Sequence, residues 1–129
     1  MKIIYKRCPS EVRKIVAPLL KKHARLVPSW VHTLTIDFEP DALSHEIAQV
    51  QPMPEYRKAY ISLHASYLAG DDDDRECHFV HELLHLQIHP LVNAFRAFVN
   101  SVVEPESALE TMMSEEIRVK MEGTVEDLR

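Results

Sequence analysis

The stretch RECHFVHELLHLQIHP, from Arg75 to Pro90, leaves the chain few ways to fold. Placed at about 100° per residue, Phe79, Val80, Leu83, Leu86 and Gln87 fall on one side of a helix. His78, His81, Glu82, His85 and His89 share an opposite arc of roughly 100°. Such a segment must bury one side against a core while it turns imidazoles and a carboxylate toward a cleft. Four of the chain's eight histidines stand here, so the chemistry of the molecule is expected on this helix.

Within the polar row, HELLH (His81 to His85) matches the pattern H-E-x-x-H. Histidines four residues apart stand one helical turn above each other, and both rings can then reach one tetrahedral ion at about 2.0–2.1 Å. Glu82 points to the same side, placed to take a proton from a metal-activated water. The pattern predicts a zinc ion held by His81 and His85, with Glu82 as the catalytic base.

A catalytic zinc normally has three protein ligands and one open position. His89 lies eight residues from His81, about 12 Å along a straight helix, so it cannot join both His81 and His85 on one ion. Cys77 meets the same difficulty one turn before His81. A third histidine ten residues after His81, reached through a glycine turn, is also absent, since Ile88 and Leu91 hold those two positions. A carboxylate from another element is left. In the last predicted helix, Val119, Met112, Leu109, Met113, Ile117 and Met121 fall on one arc, and Glu116 lies inside it. A carboxylate on a buried stripe needs a pairing partner or a metal. Glu116 is therefore the leading third ligand, with Glu115 and Glu122 as alternatives; Lys120, one turn on, offers Glu116 an ordinary ion pair instead.

The remaining chain reads as the frame for this helix. Its 129 residues suit one domain spanning residues 1–129, with 46% hydrophobic residues and a net charge of −5 that argues against a nucleic-acid partner. No apolar run approaches the length of a membrane span, and the first residues carry no export signal, so a cytoplasmic location without a membrane partner is expected. Two cysteines, Cys8 and Cys77, are too few for a disulfide framework. Val12, Ile15, Val16, Leu19 and Leu20 recur at helical spacing over residues 11–25, with Ser10 as N-cap. His32–Phe38 and Lys58–Tyr67 alternate as strands, His45–Gln51 reads as a weaker strand, and Lys58–Tyr67 is expected to pair antiparallel with a neighbour. The acidic run before Arg75 reads as a turn capping the histidine helix over 74–89, followed by helices over 91–103 and 106–128. The expected class is α+β.

With HELLH on a helix after a small sheet, and a glutamate on a later helix, the chain resembles the gluzincin clan of zincin metallopeptidases, in particular the minimal single-domain members called minigluzincins. The resemblance covers most of the chain. It implies an N-terminal helix, a three-stranded, mostly antiparallel sheet, an active-site helix and a C-terminal glutamate helix. It also implies a zinc-dependent peptidase in which His81, His85 and Glu116 hold Zn2+, Glu82 acts as base, and the substrate is a peptide or protein. A strand at the cleft rim would pair with extended substrate, and Lys58–Tyr67 is the candidate, with Tyr60, His64 and Tyr67 as donors to a developing oxyanion. The glutamate motif of larger members often carries an acid four residues on, where Glu116 is followed by Lys120. The alternative is a zincin-like metal-binding regulatory or interaction module without protease activity.

Overall fold

The computed structural model describes residues 1–40 and 47–128. His45 and Glu46, at the start of the weaker predicted strand, lie outside the described residues. The elements in chain order are strand β1 (Lys2–Lys6), helix α1 (Ser10–Lys22), strands β2 (Thr33–Glu39), β3 (Ala48–Met53) and β4 (Lys58–His64), the short helix α2 (Ala65–Ala69), and helices α3 (Asp72–Val102) and α4 (Ala108–Leu128).

The class is α+β as expected, but the sheet has four strands rather than three, in the order β1-β2-β4-β3. It is also not mostly antiparallel. β1 and β4 both run parallel to β2, and only β3 runs antiparallel, against β4. The β1–β2 pairing is parallel because the whole of α1 intervenes, long enough to carry the chain back to the same end of the sheet. β1 escaped the sequence reading for a physical reason. Its sequence, KIIYK, does not alternate, and at the sheet edge it stays largely exposed, so no apolar pattern marks it.

One face of the sheet makes the core. Leu34, Ile36 and Phe38 of β2 and Ala59, Ile61 and Leu63 of β4, spaced two apart, cluster with Val12, Val16 and Leu20 of α1 and Phe79, Leu83 and Leu86 of α3. The apolar side predicted for the histidine helix is thus the side that packs. Leu84 is buried as well. Among the polar residues of β2, Asp37 is buried and takes a forked pair from Arg7, with Arg7 Nε at 3.0 Å and Nη2 at 2.6 Å.

α3 begins as the acidic run suggests. Asp71 accepts from the amide of Asp74 at 2.8 Å, and the Asp74 carboxylate reaches back to the amide of Asp71, a reciprocal cap on two free N–H groups. The predicted break at Pro90 does not occur: α3 runs unbroken for 31 residues, about 46 Å. Pro90 removes one amide from the ladder, and the helix continues past it. The chain reverses at residues 103–107, where Glu106 takes a left-handed φ of 60°. The Ser107 hydroxyl accepts from the amide of Glu110, and the Glu110 carboxylate accepts from the amide of Glu106, which starts α4 back along α3. No described helix is long and apolar enough to cross a membrane.

Pro90 is exposed, so its removal costs little packing, and Pro90→Ala returns a donor to the helix ladder. Urea denaturation is expected to show the variant more stable by about 1–3 kcal/mol. A less stable variant would mean that the proline ring makes a contact the helix needs.

Candidate metal centre

α3 delivers His81 and His85 one turn apart because both lie opposite the core face. Their side chains are mostly buried, at 18% and 13% exposure. Their Nε2 atoms stand 3.1 Å apart. Near the end of α4, the Glu122 carboxylate closes the triangle, with Oε2 at 3.2 Å from His81 Nε2 and Oε1 at 3.2 Å from His85 Nε2. Ligand atoms about 2.0–2.1 Å from one tetrahedral ion stand roughly 3.3 Å from each other, close to the Nε2–Nε2 distance and to the distance from each imidazole to its own nearest carboxylate oxygen. Among the described residues, His81, His85 and Glu122 form the one group able to hold a metal ion.

The donor set also passes a chemical test. Two imidazoles and a carboxylate are the borderline-hard nitrogen and oxygen ligands suited to a divalent transition ion. His81 presents Nε2 to the group because its other ring nitrogen is engaged: Nδ1 lies 2.8 Å from Glu126 Oε1. A carboxylate on Nδ1 fixes the tautomer and ring orientation and makes the opposite nitrogen a better donor. Burial pushes the pKa of His85 below the ordinary value of 6.5, and His81 adds to this, while the Glu122 charge opposes both. His85 thus keeps a free lone pair further into the acid range than a solvated histidine would.

These groups line a cleft of about 850 Å³. One wall is α3, with His78, His81, Glu82 and His85; another is α4, with Met121, Glu122 and Glu126; the third is Ile47 and the following β3 residues as far as Gln51. Glu82 is buried at 9% exposure and opens on the cleft beside His81.

The sequence-predicted residues sort clearly. His81, Glu82 and His85 come together. Glu116 does not join them: it is exposed and stands 3.7 Å from Lys120, the ordinary ion pair weighed against it. Glu115 pairs with Arg118. The face of α4 that packs is carried by Ile117 and Val125, and Glu122 flanks that line, whereas Leu109, Met112 and Val119 of the predicted stripe are exposed. Glu122, one of the two alternatives, occupies the place expected of Glu116. Glu126 joins the site without a sequence expectation, and the signal for it is an acid one turn after Glu122.

Other expectations shift as well. His78 lines the cleft, but His89 is not among its walls and lies 6.4 Å, ring to ring, from Trp30. The rim strand is β3, not the Lys58–Tyr67 strand, because β4 lies inside the sheet between β2 and β3. The three oxyanion candidates also miss the cleft. Tyr67 is buried and donates to the Arg75 carbonyl at 3.0 Å, His64 is buried in the sheet, and neither they nor Tyr60 line it; Ser62 does.

Elemental analysis after purification without chelating resin is expected to find about one divalent ion per chain. Glu122→Gln should lower metal affinity at least 10-fold, Glu126→Gln roughly 10-fold through the loosened His81 ring, and Glu116→Gln not at all. Affinity should fall with acidity below pH 6.5, the side on which imidazole gains its proton, and the burial of His85 moves that fall to lower pH. Unchanged affinity in Glu122→Gln would remove Glu122 from the centre.

No model of a known protein family, no curated protein and no solved structure matches the chain.

Proposed function

We propose that the chain is a zinc-dependent peptidase of the gluzincin kind, with His81, His85 and Glu122 as metal ligands and Glu82 as general base. The observation that carries this reading is the convergence of two imidazole Nε2 atoms and one carboxylate at 3.1–3.2 Å, beside a buried glutamate, in an open cleft. Hydrolysis gives Glu82, buried at the cleft beside the ligands, the role of base. The pair Glu122 and Glu126 adds support, since it supplies the acid four residues after the ligand that Glu116 lacks.

When bound, zinc supplies Lewis acidity to a peptide carbonyl and to water. Glu82 takes a proton from the water as its oxygen attacks the carbonyl carbon, and then hands that proton to the nitrogen of the leaving amine as the C–N bond breaks. Glu126 holds the His81 ring so that Nε2 stays aimed at the centre. β3 is an edge strand whose residues wall the cleft, so an extended peptide can add to the sheet there through backbone hydrogen bonds, with its scissile bond over Glu82. The peptide substrate, the zinc and the gluzincin architecture rest together on this reading.

Glu82→Gln is the test. An amide keeps the shape of the carboxylate and cannot act as a base at neutral pH. The variant should keep its metal and its melting temperature and lose at least 10²-fold in peptide hydrolysis. Full activity in the variant would sink the assignment of Glu82. A zinc-loaded wild-type protein that cleaves nothing in a broad peptide library would leave a metal-holding regulatory module in place of an enzyme.

A further inference from the structure

The second half of α3 and the first half of α4 stand apart from the core. Beyond Leu86, α3 buries only Val99, and α4 buries only Ile117 and Val125. Yet this hairpin carries large apolar side chains on its outside. Leu91, Phe95, Phe98 and Val102 follow the 4-3-4 spacing of a coiled-coil seam and are between 52% and 74% exposed. On α4, Leu109, Met112, Glu116 and Val119 follow the complementary 3-4-3 spacing, and the three apolar members are 49–63% exposed. Between the two helices runs a groove of about 420 Å³, which Leu91 and Phe95 of the first seam and Glu116 of the second help to line. Leu91 and Phe95 form one bank, Glu116 and Lys120 the other, and Val92 and Ile117 lie between.

We propose that this hairpin is a homodimer interface, in which two copies pack about a two-fold axis as a four-helix bundle. Three observations select a second copy of the chain as the occupant. The exposed apolar surface of the two seams is roughly 700 Å², at roughly 150–200 Å² for a fully exposed large side chain. That is near the roughly 800 Å² per partner of a stable protein interface. The heptad spacing is that of helices packing on helices, with Glu116 as the polar member of its seam. The groove bank also carries one acid and one base, 3.7 Å apart on neighbouring turns. A two-fold axis that passes between these turns sets each acid against the partner's base, so the surface can complement itself in charge.

Sedimentation velocity on the full chain, from about 1 to 100 µM, reads the result. The wild type is expected to sediment at twice the 14.9 kDa chain mass. Leu91→Glu with Phe98→Glu, in the exposed seam, should give a monomer with unchanged helicity by circular dichroism. Glu116→Lys should weaken association at least 10-fold by setting like charges against each other, and adding Lys120→Glu should restore it. Because the charge variants leave the apolar seam intact, they test the two-fold pairing even if the double glutamate variant fails to fold. A wild-type monomer throughout the range would overturn the proposal, including one that instead takes up an amphipathic helical peptide. A dimer indifferent to all of these substitutions would do the same.

Discussion

Everything in this molecule depends on α3 facing two environments at once. Its apolar side closes the core against β2, β4 and α1, so the helix cannot rotate without exposing Phe79, Leu83 and Leu86. That packing holds His81 and His85 on the opposite side with their rings converging. Two imidazoles and the carboxylates of Glu122 and Glu126 within a few ångströms are costly to gather. The helix holds them there because the core sets its rotation before any ligand arrives.

α4 supplies what α3 cannot. Within α3 the rise along the axis carries Cys77 and His89 away from the His81–His85 pair. The carboxylate that meets the pair comes across a helix interface, and the reversal at residues 103–107 sets which residue that is. Glu122 faces the histidines as a result of where α4 starts and how Ile117 and Val125 pack, not of any local feature of its own sequence.

That division explains what could be read from the sequence. The phase of α3 was legible because nearly all of its N-terminal half is either core or cleft, so the apolar and polar sides are distinct. The phase of α4 was not. Leu109, Met112 and Val119 lengthened its apolar arc toward solvent, and the arc's middle then fell on Glu116 instead of beside Glu122. An apolar stripe marks burial only where something packs on it, and Leu109, Met112 and Val119, half of this one, stay exposed. β1 failed for the opposite reason: an exposed edge strand has little need of an apolar pattern, and its pairing is made by backbone groups that the sequence does not display. A proline inside a helix lacks a donor and favours a break, but the 31-residue α3 continues past Pro90 with one bond missing.

The same hairpin has a topological property of its own. Its reversal ties α3 to α4 at one end, while His81 and His85 meet Glu122 and Glu126 toward the other. A cation at that meeting point would turn an open fork into a closed ring of chain, from His85 out through residues 103–107 and back to Glu122. Closing a ring removes conformations from the unfolded chain and from every partly opened state, a stabilisation that grows only logarithmically with ring size. The helices in between would gain rigidity without gaining a single contact. Metal occupancy would then be felt along the whole length of both helices, well away from the ligands themselves.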